Sequence, residues 1–173
     1  MTTTVLCLGG IELKGATMNE WKDWFIVNDG VMGGVSQSSA KLTADQTMLF
    51  TGNVSLENNG GFASVRHVAD MISFTDSKGV ALRVKGDGNK YQLRFRTSNR
   101  FDGVAYMVSF ETKRDEWLDL VFPWDRFSPT FRGRTVKAPP LAPEKIGQVG
   151  FLIADKQQGP FRLEVASIHA VMD

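Results

Sequence analysis

Three glycines fall within the eight residues DGVMGGVS (29–36), and a second glycine pair follows in NNGGF (58–62). Glycine-rich loops can cradle phosphate through backbone N–H groups, but these lack the required pattern. Neither a GxGxxG opening a helix after a strand nor the GK[ST] of a P-loop is present. A left-handed conformation costs a residue with a side chain about 1 to 2 kcal/mol, so Gly33–Gly34 and Gly60–Gly61 mark backbone that turns sharply or passes close to another group. The flanking Asn28, Asp29, Asn58 and Asn59 are residues whose side chains bond nearby backbone in loops. The two stretches are therefore expected to lie near each other as edge loops braced by these side chains. Beside Trp21, Trp24 and Met32, the same loops, with Gly33, Gly34, Ser36 and Glu57, also make a candidate shelf for a peptide or a sugar.

Other chemistry has fewer residues to draw on. His67, His169 and Cys7 have no zinc-ligand spacing, and neither a GxSxG elbow nor an HExxH is present. Asp115 and Glu116 sit beside Lys113 and Arg114, the pattern of a solvated loop. Calcium needs about six to eight oxygen ligands, and no acidic run supplies them. The expectation is no metal, no cofactor and no catalytic set. Were the chain an enzyme, Asp29, Glu57 and Asp155 would be the first carboxylates to suspect, because they lie in polar turns.

The elements that must position these residues are strands. In YQLRFRTS (91–98), Tyr91, Leu93 and Phe95 alternate with Gln92, Arg94 and Arg96; in FRLEVASIHAV, Phe161, Leu163 and Val165 alternate with Arg162, Glu164 and Ala166. Further strands are predicted at 48–52, 62–67, 80–86, 105–111, 117–123 and 148–155, with short helical turns at 18–25 and 142–147. Gaps this short cannot hold the helical crossovers that parallel strands require, so the predicted fold is all-β: a single-domain antiparallel β-sandwich or jelly roll. KGDGNK (85–90) reads as a hairpin loop placing Val84 opposite Tyr91 and Leu82 opposite Leu93. The opposite face would then be basic, carrying Arg83, Lys85, Lys90, Gln92, Arg94 and Arg96, either as a solvated face or as a binding surface.

Bulk properties bound the function. With 173 residues, 42% hydrophobic and 23% charged, the chain can bury a core without staples. No stretch approaches the roughly 18 apolar residues of a membrane span, so no direct membrane insertion is expected. A formal net charge of +1 gives no field favouring nucleic acid. One cysteine fits a reducing compartment, and the opening MTTTVLCLGGIELKG has no basic residue before Lys14, unlike an import or secretory leader. The expected location is cytoplasmic.

Four ordered stretches, WFIVNDGVMGGVSQS (24–38), LFTGNVSLENNGGFASVR (49–66), FSPTFRGR (127–134) and VGFLIADKQQGPFRLEVASI (149–168), resemble the signature blocks of the complex I intermediate-associated protein 30 family. The resemblance runs from about Trp21 to Ala170. It implies a galactose-binding-like jelly roll and a non-enzymatic, chaperone-like or assembly role, with a protein subunit of a respiratory or other membrane-associated complex as partner. The same fold class implies the alternative of a carbohydrate-binding module with a glycan ligand, for which Trp24, Trp117 and Trp124 are the aromatic platforms. Besides the loop residues above, Arg66, Arg83, Arg94, Arg96 and Asp155 complete the candidate partner or ligand surface.

Overall fold

A computed structural model describes residues 4–8, 11–18, 21–70, 72–98 and 103–172. The strands are β1 (Thr4–Leu8), β2 (Ile11–Thr17), β3 (Phe25–Ile26), β4 (Gln37–Leu42), β5 (Met48–Val54), β6 (Ala63–Val68) and β7 (Ser77–Lys85). They continue as β8 (Lys90–Arg96), β9 (Ala105–Glu111), β10 (Trp117–Pro123), β11 (Ser128–Phe131), β12 (Arg134–Thr135), β13 (Gln148–Ile153) and β14 (Gly159–Met172). Among the described residues they form two seven-stranded sheets. In the first, β14 is the hub: β5 and β2 pair along one side of it, followed outward by β4 and β1, and β7 then β10 lie on the other side. The second runs β12-β11-β9-β8-β13-β6-β3. All these pairings are antiparallel, and the sheets face each other across one apolar core that includes Phe50, Leu82, Tyr91, Phe95, Phe151 and Ile168. The fold is an antiparallel β-sandwich.

The predicted strands are present, and β10 has the bounds read from sequence. Local alternation explains why: Tyr91, Leu93 and Phe95 are buried in the core, as are Val149, Phe151 and Ile153. In β14 the phase changes. Phe161, Leu163 and Val165 point inward, then Ile168 and Ala170 do, because pairing with β7 jumps from Val165 to Ser167. The extra residue, Ala166, is a bulge, and it lets one strand serve β5 in its first half and β2 in its second. The 142–147 turn is a short 310 turn, Pro143–Lys145; of 18–25, Asn19 and Glu20 lie outside the described residues, residues 21–24 form no helical turn, and Phe25 opens β3.

The hairpin expected at 85–90 does not form. β7 pairs with β10 and β14 in the first sheet, whereas β8 pairs with β9 and β13 in the second, so the chain turns a corner between sheets. The corner is held by side chains. A Cβ on Gly86 would lie 2.4 Å from Thr112, whose hydroxyl donates to Asn89 O at 2.7 Å. Asp87 accepts from Asn89 N at 3.0 Å, Tyr91 Oη at 2.9 Å and Arg162 N at 2.8 Å. The single basic face predicted from the hairpin is accordingly divided, with Arg83 and Lys85 on one sheet and Arg94 and Arg96 on the other.

Candidate functional site

The two glycine-rich stretches do meet, at the edge where β3 ends one sheet and β4 ends the other. Asn28 follows β3 in extended conformation, and a 310 turn, Asp29–Met32, then closes on Gly33 with φ 87°. Asn28 Oδ1 accepts from Ser38 Oγ on β4 at 2.9 Å and from Ser64 N on β6 at 3.3 Å, so one amide joins the edges of both sheets. Asp29 is fully buried. Its Oδ1 accepts from Ser36 N at 3.0 Å; its Oδ2 accepts from the Ser36 hydroxyl and from Gly61 N at 2.8 Å. Burial pushes the Asp29 carboxyl up, but the Ser36 hydroxyl and the backbone N–H groups of Gly61, Ser36 and Phe62 outweigh it and hold it below the usual carboxylate range.

The glycines make room for this carboxylate. A Cβ on Gly34 would lie 2.4 Å from Asp29 Cγ, and one on Gly60 would lie 2.5 Å from Asp29 Oδ2. Gly61 adds φ 129°, while Asn58 and Asn59 are exposed and left-handed at φ 54° and 57°. Their contribution is backbone conformation, whereas Asn28 and Asp29 brace through their side chains. With its oxygens committed to Ser36 and the 61–62 backbone, Asp29 is an anchor sealed from any ligand. Glu57 and Asp155 are exposed turn residues, Asp155 at φ 60°, and no cluster able to hold a metal ion forms among the described residues.

The predicted tryptophan platforms are differently placed. Trp24 stacks on Trp21 at 5.8 Å and meets His67 and Phe151 at 5.1 and 6.2 Å, so it is a packing residue at the core edge. Trp124 donates to Ser77 O at 3.1 Å and packs on Phe74, Phe95 and Phe127. Trp117 lies on the first sheet with Arg83 5.2 Å and Lys85 Nζ 5.0 Å from its ring. Both cations also face acids: Arg83 meets Asp119 at 2.8 Å, and Lys85 meets Glu164 at 3.5 Å. Met32 belongs to the 310 turn, and its side chain lies outside the described residues.

The second sheet gathers the remaining arginines. Gly150 on β13 stands opposite Arg66 on β6 and Arg94 on β8, forming one cross-strand row, with Arg96 one pleat along. An open cleft is lined there by Ser64, Arg66, Arg94, Arg96, Gly150 and Leu152, among others. Arg94 Nε donates to Gln92 Oε1 at 3.0 Å, and a terminal nitrogen donates to Thr130 Oγ1 at 3.4 Å. Burial, then the neighbouring Arg66 charge, draw Arg94 down to about 10. Gly150 was not among the sequence-derived site residues; its signal was a small residue within the otherwise apolar run QVGFLI. Ser38 and Ser64, which meet Asn28, carry no signal readable without the register.

The chain matches the family described as complex I intermediate-associated protein 30 over residues 13–165. Complex I intermediate-associated protein 30, mitochondrial, of Mus musculus is 25% identical over 171 residues, covering 87% of this chain and 52% of that protein. Its Drosophila melanogaster counterpart is 25% identical over 165 residues, covering 82% and 56%. The chain thus spans about half the length of these curated relatives. An uncharacterized Schizosaccharomyces pombe protein is 28% identical over 173 residues, covering 87% and 78%. In fold, the chain resembles a family 11 carbohydrate-binding module from Clostridium thermocellum, solved with a β-1,3-1,4-mixed-linked tetrasaccharide. The TM-score is 0.68, with 13% identity over 87% of this chain and 90% of that one. A family 29 carbohydrate-binding module gives a TM-score of 0.53 with 13% identity, over 98% and 91%. The family match extends from β2 to the bulge of β14 and takes in the Asp29 anchor, both glycine loops and the arginine row; on that ground the chain belongs to the complex I intermediate-associated protein 30 family.

Proposed function

We propose that this protein is a non-enzymatic, single-domain cytoplasmic binding protein that assists assembly of a respiratory complex by holding a partner polypeptide. The observation that carries this reading is the family match over residues 13–165, which supports complex I assembly as the shared role. The site geometry supports the non-enzymatic part, because Asp29, the buried acid of the glycine loops, is spent on the fold. Affinity capture with the tagged protein at mild salt tests the proposal. Recovery of subunits of NADH:ubiquinone oxidoreductase is expected; repeated recovery of no respiratory or other assembly subunit overturns it.

A second reading, glycan binding, is favoured by the likeness to a module solved with a mixed-linked tetrasaccharide. Sugar rings stack on exposed aromatic faces. Trp24 and Trp124 are packed against other rings, and Trp117 is flanked by two cations, which leaves this reading the weaker. Titration with that tetrasaccharide decides it: saturable binding establishes the second reading, and none removes it.

A further inference from the structure

We propose that the Arg66–Gly150–Arg94 row on the outer face of the second sheet is a carboxylate-recognition site for an acidic segment of the partner polypeptide. The proposal rests on the polypeptide-binding reading above and gives the partner its chemistry.

Arg94 carries the argument. Its partners, Gln92 Oε1 and Thr130 Oγ1, are both neutral, so they orient the guanidinium without neutralising it. Arg83 and Lys85 on the first sheet are different, since each faces a carboxylate. Gln92 and Thr130 use part of the guanidinium's donor set, and Arg94 is one of the residues lining the cleft; planar guanidinium forks match carboxylate geometry. Arg66 stands across Gly150 in the same row, which brings two like charges to one depression.

The floor suits a small group. Gly150 offers bare backbone, and a Cβ there would lie 2.8 Å from Val65 O and 3.4 Å from Arg66 Cγ, displacing the arginine stem. The cleft is partly open to solvent. It accommodates a carboxylate projecting from a chain that runs across the sheet. Phe151, an aromatic residue lining the cleft, is fully buried.

The test is a titration of the full chain with hexaglutamate and hexaglutamine peptides, read by backbone amide shifts. Saturable, salt-sensitive binding of hexaglutamate centred on residues 94 and 150 is expected, with none for hexaglutamine. Arg94→Gln should weaken it at least about tenfold. Arg94→Lys, which keeps the charge but loses the fork, should also weaken it, and it serves as the test should Arg94→Gln not fold. Arg83→Gln should bind as the unaltered protein does. Equal weakening by Arg83→Gln and Arg94→Gln, unaltered binding by the Arg94 variants, or displacement of the peptide by mixed-linked tetrasaccharide overturns the proposal. If hexaglutamate fails to bind while the unaltered protein and Arg94→Gln capture respiratory subunits alike, the carboxylate site falls and the assembly reading stands. Saturable peptide binding with no subunit captured does the reverse.

Discussion

Ser36 donates its hydroxyl to Asp29 and, through the same oxygen, accepts the Ser55 N–H at 2.9 Å, so one small side chain ties the buried carboxylate to the end of β5. Asp29 in turn takes the N–H of Gly61 just before β6. Two residues thus close the edge between the sheets.

Removing the carboxylate leaves the Ser36 and Gly61 N–H groups unpaired at a buried site, at about 1 to 3 kcal/mol for each donor. Asp29→Ala should therefore lose about 3 kcal/mol or more, and Ser36→Ala about 1 to 3 kcal/mol. Urea unfolding measures both. A variant that melts like the unaltered protein but captures no partner would show that the loops recognise a ligand instead of bracing the fold.

Acid should weaken the protein in two ranges. His169 is buried and its pKa is lowered by burial, so its contribution is complete above the unfolded value of about 6.5 and declines as pH falls toward its lower folded value. Asp29 is held below its ordinary 3.8, so its contribution is present above about pH 4 and is lost as pH falls through its own lower pKa. Stability measured from about pH 8 to about pH 3 should decline in both ranges. His169→Gln should flatten the upper decline and Asp29→Asn the lower; slopes unchanged in both variants would contradict the assignment.

Glycine substitutions offer a sharper contrast. Gly34→Ala drives a methyl to within 2.4 Å of Asp29 and should cost several kcal/mol unless the carboxylate moves, which breaks its bonds. Gly30 sits in the same 310 turn as Asp29, with open space around it and no left-handed backbone. Gly30→Ala should accordingly stay within about 0.5 kcal/mol of the unaltered protein. Gly33→Ala, with open space but φ 87°, should fall between them at about 1 kcal/mol. Thermal melts of the three variants check the ranking, and a Gly34→Ala melt equal to that of Gly30→Ala would refute it.

The strands were legible because burial writes itself into alternation: Tyr91, Leu93 and Phe95 announce β8 without any knowledge of its neighbours. Pairing was not legible, because alternation fixes which side faces the core and says nothing about which strand lies alongside. That is why Arg83 and Arg94 read as one face and belong to two sheets. At the glycine loops the residue types revealed that Asn28 and Asp29 brace something, yet their partners Ser38, Ser64 and Gly61 are named only by the fold. The short strands β3 and β12, of two residues each, leave no period to detect.

The corner at 86–89 gives the last prediction, because hairpin and corner assign Asp87 different values. In a hairpin turn, Asp87 would be a solvated loop residue, and its replacement would cost about 0.5 kcal/mol or less. In the corner it holds Arg162 N at 2.8 Å and Tyr91 Oη at 2.9 Å, joining the start of β8 to β14 of the opposite sheet. Tyr91 is fully buried, and burial followed by the Asp87 charge raises its pKa well above the ordinary tyrosine value, so the phenol stays a neutral donor throughout the working range. Asp87→Ala should therefore cost about 1 kcal/mol or more, chiefly by loosening the part-buried Tyr91 hydroxyl while the exposed Arg162 N–H turns to water. It should also speed hydrogen exchange at Arg162 selectively, since that amide loses its acceptor while the β14–β5 ladder stays paired. Urea unfolding together with exchange at residue 162 measures both effects. A neutral substitution with Arg162 still protected would restore the hairpin and, with it, a single basic face.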